Sequence, residues 1–143
     1  MRPSWDEYFM GMAVHASKRA TCDRRHVGCV IVTSTNQIMC TGYNGSAPGA
    51  PHCDDVGHLI NDGHCVRTIH AEANAVAQAA QWGKSIAGCR IYVTCHPCPV
   101  CLMLLASAGV NHVVYTQDYH AEEDAVSTIL ARDAGLRIRQ YRG

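Results

Sequence analysis

The 143-residue sequence has no charge excess of either sign: twelve basic side chains face twelve acidic ones, and only Lys18 and Lys84 are lysines. A protein that grips a long nucleic acid normally carries a net basic face, so no such partner is expected. No stretch approaches the roughly 18 consecutive apolar residues of a membrane span. The opening Met1-Arg2-Pro3-Ser4-Trp5-Asp6-Glu7 lacks the apolar core of a signal peptide. Internal repeats, low-complexity tracts and composition shifts are missing too. These absences lead us to expect one domain over 1–143, no membrane partner and a cytoplasmic location. One local cationic cluster, Lys18, Arg19, Arg24 and Arg25, reads either as a solvated helix end or as a holder for one phosphate.

What the chain does have is cysteine, nine of them. Without an export signal, cysteines are thiols or metal ligands more often than disulfides, and an odd total suits full pairing poorly. Two segments concentrate the chemistry: His70-Ala71-Glu72 and Pro97-Cys98-Pro99-Val100-Cys101. Together they supply one imidazole, two thiolates and a carboxylate in the order H-x-E … P-C-x-x-C, the signature of zinc-dependent nucleobase deaminases. Three protein ligands leave a fourth zinc position open for water, which separates a catalytic site from a closed structural one. Such a water is acidified towards neutral pH, and the hydroxide is expected to attack C4 of cytosine with Glu72 as proton shuttle. C-x-x-C alone also fits a redox pair. Cys95 and His96 lie beside the motif but outside its spacing, and read as supporting or loop residues.

Ser4 with Glu7 forms a capping-box pattern, and Trp5, Tyr8, Phe9, Met12, Ala13 and Ala16 follow at helical spacing. That predicts a first helix over Trp5–Arg19. Apolar runs at Val27–Val32 and Gln37–Thr41, joined by a polar link, predict a hairpin. Ala71–Ala80 is apolar nearly all round and predicts a buried helix. Arg90–Thr94 and His112–Thr116 predict strands flanking a helix over Cys98–Ala108 that Gly109 ends. A last helix over Ala121–Ala134 and an edge strand over Leu136–Gln140 complete a three-layer α/β/α domain around a mixed five-stranded sheet. Residues 43–69 show no convincing regular element, and a loop this long inside a compact domain is usually functional or disordered.

Several segments in order resemble the deoxycytidylate deaminase family within the cytidine deaminase superfamily. They are Val27-Gly28, Gly42-Tyr43-Asn44-Gly45-Ser46, His70-Ala71-Glu72-Ala73-Asn74-Ala75, Ile91-Tyr92-Val93-Thr94, Pro97-Cys98-Pro99-Val100-Cys101 and Val114-Tyr115 with Tyr119. The resemblance implies the cytidine deaminase-like fold and conversion of dCMP to dUMP and ammonia, which feeds thymidylate synthesis. It implies that Asn44 bonds the sugar, that the Ala71 amide holds the base carbonyl, and that Val27, Tyr119 and Arg24 contact substrate. It also implies a homo-oligomer, commonly a hexamer, with dCTP and dTTP as effectors and Mg2+ accompanying them. From the residues alone, Asn44-Gly45 is equally an ordinary turn, Tyr119 equally a core or interface aromatic, and neither Arg24 nor Arg25 is fixed as the phosphate contact.

The resemblance further suggests a second, structural zinc. Cys22, Cys53 and Cys65 fall outside the predicted elements, in or beside the long loop, whereas Cys29, Cys40 and Cys89 lie in apolar runs and read as small buried hydrophobes. Cys22, Cys53, His58 and Cys65 would make a closed site, with His64 competing for the fourth place. Two other functions share these features. A deaminase acting on a base within RNA or single-stranded DNA would need a groove and a basic surface. A silent zinc or nucleotide-binding module would have no need of Glu72.

Overall fold

The computed structural model describes residues 1–143. Strands β1 (Gly28–Val32), β2 (Ile38–Tyr43), β5 (Arg90–Cys95), β6 (His112–Gln117) and β7 (Arg137–Gln140) form one sheet in the order β2-β1-β5-β6-β7. β1 runs antiparallel to both β2 and β5, while β5, β6 and β7 are mutually parallel, so the sheet is mixed as expected. A two-residue hairpin, β3 (Ile60–Asn61) and β4 (His64–Cys65), stands apart from it. The helices are α1 (Trp5–Ser17), α2 (Cys53–Val56), α3 (Ala71–Gln81), α4 (Pro99–Ser107) and α5 (Ala121–Asp133). No helix is long and apolar enough to cross a membrane.

Strand alternation divides the core. Cys29, Ile31, Ile91, Val93 and Val113 point to one face, where α3, α4 and α5 supply Ala75, Leu102, Leu105 and Ala131. Val30, Val32, Tyr92 and Val114 point to the other, under Phe9, Met10 and Ala13 of α1. β1 is buried along its whole length because both faces are covered. Ser4 caps α1 by accepting from the Glu7 amide at 3.1 Å.

Three expectations need correction. α3 is not buried all round: Ala71, Glu72, Ala75 and Ala79 face inward, while Ala77, Gln78 and Ala80 are exposed. Alanine is too small to distinguish a core face from a solvent face, so the apolar run carried no periodicity. The long loop also holds short regular pieces: Cys53 opens α2 and Cys65 lies in β4. α1 stops at Ser17, two residues earlier than predicted. The outer edge of β2 is occupied by side chains, since the Thr41 amide donates to Gln78 Oε1 (3.2 Å) and Lys84 Nζ donates to the Met39 carbonyl (3.3 Å).

Under α1, Asp6 joins the elements by accepting from Arg139 (2.8 and 2.9 Å) and from the Tyr92 hydroxyl (2.6 Å). The Arg139 hydrogen bond holds the Asp6 carboxyl below its ordinary value. His112 Nε2 accepts from Arg139 Nε at 3.2 Å. Burial, together with Arg137 and Arg139, pushes the His112 imidazole down to about 4. The folded chain therefore resists a proton that the unfolded chain accepts below pH ~6.5, and stability falls as pH drops from there to about 4. We expect His112→Gln to flatten that fall by about 1–2 kcal/mol after allowance for solvent screening. Thermal melts of both proteins at pH 7.5 and 4.5 check it, because acid release of metal is common to both. Equal losses on acidification would exclude His112 as the cause.

Candidate metal centres and active cleft

The sheet order collects five chain segments at one end. β1 is antiparallel to β5, so Val27, just before β1, lies beside the carboxyl end of β5 at Cys95, and Asn44 follows β2 next to Val27. The turn after β6 carries Tyr119, and the His96 amide donates to the Gln117 carbonyl at 2.8 Å, tying the β5 and β6 exits together. Open α/β sheets place their ligand crevices at such carboxyl ends. A cleft of about 270 Å3 lies here, lined by His70, Ala71, Glu72 and Cys98 and by Arg25, Asn44 and Tyr119.

Two helix starts meet at this cleft. His70 is the N-cap residue of α3 and Cys98 that of α4, with Pro99 in the first turn. The Cys98 sulfur accepts from the Cys101 amide at 3.5 Å. His70 Nδ1 stands 3.5 Å from Cys98 Sγ and 3.4 Å from Cys101 Sγ, and all three atoms lie within 4.8 Å of one another. A tetrahedral zinc with bonds of about 2.0–2.3 Å sets neighbouring N and S ligands about 3.6 Å apart, so the three donors fit the ion with one vertex unassigned. The thiol of Cys101, with His70 beside it, draws the Cys98 thiol down to about 4, and the contact between the two sulfurs pushes Cys101 up.

Glu72 lies in the first turn of α3, two residues from His70, and is only 4% exposed. Burial lifts its carboxyl to about 7 against the pull of His70. A carboxyl poised near neutral pH both takes and returns a proton, as a general acid–base requires.

The second group converges as well. Cys22, Cys53, His58 and Cys65 offer four donor atoms within 4.8 Å, with Cys22 Sγ 3.5 Å from His58 Nδ1 and Cys53 Sγ 3.4 Å from Cys65 Sγ. This is a closed Cys3His set, and its spacings match a tetrahedral zinc. Burial opposes ionisation of Cys65, but the Leu59 and Arg67 amides and the neighbouring Cys53 draw it down to about 5. His64 is not among the four; it lies exposed along the cleft instead. Cys29, Cys40 and Cys89 are buried in apolar surroundings.

The remaining candidates separate. Asn44 Oδ1 accepts from the Val27 amide (2.7 Å) and its Nδ2 donates to the Arg25 carbonyl (2.6 Å), so this side chain shapes the cleft wall. Tyr119 is 38% exposed, which rules out a core role, and the Arg25 guanidinium lies 4.3 Å from its ring centre. Arg24 lines the cleft but donates to the Gly63 carbonyl at 3.3 Å. Cys95 ends β5, and both Cys95 and His96 line the cleft.

Two residues with structural weight escaped sequence reasoning. Asn74 donates to the carbonyls of Tyr43 (2.9 Å), Gly45 (3.2 Å) and Ile69 (3.2 Å), clamping the Gly-Tyr-Asn-Gly-Ser segment onto α3. An amide one turn after His70 in an otherwise alanine-rich helix was its signal. Asp124 accepts from the Tyr119 (3.0 Å) and His120 (3.3 Å) amides and sits 3.6 Å from buried His96. No local pattern announces such a hub.

Comparison with known proteins places this geometry. The pattern of the cytidine and deoxycytidylate deaminase zinc-binding region matches residues 3–117. ComE operon protein 2 of Bacillus subtilis (strain 168) is 42% identical over 139 residues, covering 97% of this chain and 72% of that protein. The deoxycytidylate deaminase of Saccharomyces cerevisiae is 36% identical over 149 residues, covering 99% of this chain but 46% of the yeast protein. This chain thus spans about half the length of that relative. The crystal structure of the dCMP deaminase of cyanophage S-TIM5 in complex with dCMP and dUMP superposes with a TM-score of 0.83 at 29% identity over 99% of each chain. With the family pattern matched over most of its length, the chain belongs to the cytidine and deoxycytidylate deaminase family.

Proposed function

We propose that the protein hydrolyses dCMP to dUMP and ammonia, supplying dUMP for thymidylate synthesis. One observation carries the reading: a buried carboxyl, Glu72, lines a cleft of about 270 Å3 beside three converging side chains, His70, Cys98 and Cys101, that could hold a metal ion. The likeness to a structure holding dCMP and dUMP gives that cleft its substrate class.

His70, Cys98 and Cys101 would hold the catalytic zinc. When bound, zinc supplies the Lewis acidity that makes water a nucleophile near neutral pH. Glu72 takes the proton of the attacking water and passes it to the ring nitrogen next to C4. It then takes the second proton from the hydroxyl now on C4 and delivers it to the amino group, which leaves as ammonia as the C4–N bond breaks and the C4 carbonyl forms. The Ala71 amide, at the start of α3, holds the base carbonyl, where the helix dipole favours negative charge. Asn44 keeps an amide hydrogen for the sugar beyond its bond to Arg25, and Val27 packs beside it. Tyr119 braces the Arg25 guanidinium, which with Arg24 faces the phosphate.

Cys22, Cys53, His58 and Cys65 would hold a second, structural zinc that orders the 43–69 segment, a contribution on the order of 10 kcal/mol. Exposed Val100 and Met103 on α4, with Val126 and Ile129 on α5, support association of copies, and on the family resemblance we take this as a hexamer. Control by dCTP and dTTP with Mg2+ belongs to the same proposal. Nine cysteines with no disulfide among them suit a reducing cytoplasm.

The test is an absorbance assay over dCMP, dCTP, CMP, deoxycytidine and a cytosine-containing single-stranded oligonucleotide, with and without added dCTP or dTTP. We expect dCMP to be preferred. Faster turnover of the oligonucleotide would transfer the chemistry to nucleic acid, and no ammonia from any of them would leave a binding module.

A further inference from the structure

The second cluster has a neighbour that neither chemistry nor spacing assigned. His58 presents Nδ1 to the sulfurs, 3.5 Å from Cys22 Sγ, while its other nitrogen, Nε2, lies 2.9 Å from Asp23 Oδ1. A carboxylate only accepts hydrogen bonds, so the Asp23 contact requires the hydrogen of a neutral imidazole to be on Nε2. Nδ1 is then left with its lone pair aimed at the point the three sulfurs surround. Metal-bound histidines commonly donate their second N–H to a carboxylate in this way, which fixes the tautomer and ring orientation and raises ligand basicity.

We propose that Asp23 is a positioning residue for the second metal site, holding His58 in the tautomer and orientation that complete a Cys3His zinc site. The proposal rests on the reading of Cys22, Cys53, His58 and Cys65 as zinc ligands. It also accounts for the choice between His58 and His64 as the fourth ligand. His58 has a carboxylate behind it, supplied by the residue next to the ligand Cys22, so one short stretch of chain provides both a sulfur and the brace for a nitrogen. His64 lies in β4, exposed and outside the four-donor group. The geometry matters because His58 itself follows α2 in a segment with little apolar anchoring: Val56, Leu59 and Ile60 are all exposed. With so little packing to hold its ring, His58 depends on a polar contact for its orientation.

Asp23 is 78% exposed, so replacing it removes the hydrogen bond without opening the core. The experiment titrates the whole zinc-loaded protein with a chromogenic chelator and resolves the affinities of the ions it holds. We expect wild type to hold two ions per chain. In Asp23→Asn one of them should bind 10–100-fold more weakly while the other is unchanged. Asp23→Glu, which keeps the carboxylate, should recover most of that loss. Two ions held by D23N with wild-type affinities would overturn the brace and leave the second site standing. A D23E variant as weak as D23N would assign the loss to packing and overturn it as well. A single ion in wild type would remove the second site and, with it, the role of Asp23.

Discussion

Glu72→Gln is expected to lower turnover of dCMP by at least 10²–10⁴-fold while leaving the zinc content unchanged. The substitution keeps the size and the hydrogen-bonding reach of the side chain and removes only its ability to exchange a proton. Glu72 is 4% exposed and does not belong to the three-donor cluster, so neither folding nor metal retention depends on its charge. Indeed, burial already works against that charge, lifting the carboxyl to about 7. Losing it costs little stability, and the thermal midpoint should hold or rise. Turnover, zinc per chain and a melting curve on one preparation decide the matter. Near-normal turnover by E72Q would remove Glu72 from the proton path.

Gly42→Ala should be nearly as damaging, though the residue carries no chemistry. A Cβ at Gly42 would sit 2.2 Å from the carbonyl oxygen of Ala71 and 3.0 Å from the Ala75 amide nitrogen. Neither atom is the end of a flexible side chain; both belong to the backbone of α3. The helix must therefore slide away from β2, carrying His70, Ala71 and Glu72 with it. Overpacking of this kind costs about 1–3 kcal/mol. A shift near 1 Å at a reacting group costs on the order of 10² in rate. We expect kcat/KM to fall by about that factor and the melting temperature by several degrees. A G42A protein with wild-type activity would mean that β2 does not set the position of the α3 start.

What could be read from the sequence was what short-range chemistry decides. The His70 and Glu72 pair and the Cys98 and Cys101 pair are local spacings at helix starts, and a spacing of two or three residues survives without knowledge of the fold. The same holds for the Ser4 cap and for strands whose apolar runs alternate across a covered sheet. The 43–69 segment was opaque for the opposite reason. Its contacts reach Cys22, far behind it in sequence, and the Asn74 amide on α3, and no local pattern points to either. The choice of His58 over His64 depended on the path of the β3–β4 hairpin, which no pattern specifies. Asn44 looked like a turn residue and is one, but its two bonds also fix the backbone that carries Arg25 and Val27. The stacking of Arg25 on Tyr119 joins residues far apart in sequence and exists only in three dimensions.

The two margins of the central sheet are guarded by different means. At β2 the main-chain groups of Met39 and Thr41 are already satisfied by Lys84 and Gln78, and at β7 the four-residue strand carries Arg137 and Arg139. An incoming strand from another copy would find the Met39 carbonyl and the Thr41 amide taken on one side and only a four-residue strand with exposed Arg137 on the other, so lateral growth of the sheet is discouraged at both margins. A helical surface is open to association: Val100 and Met103 are exposed in the first turns of α4, the helix that also carries Cys101. Association of that kind would press on the metal-bearing turn itself, so self-assembly and ligand geometry would not be independent properties of this chain.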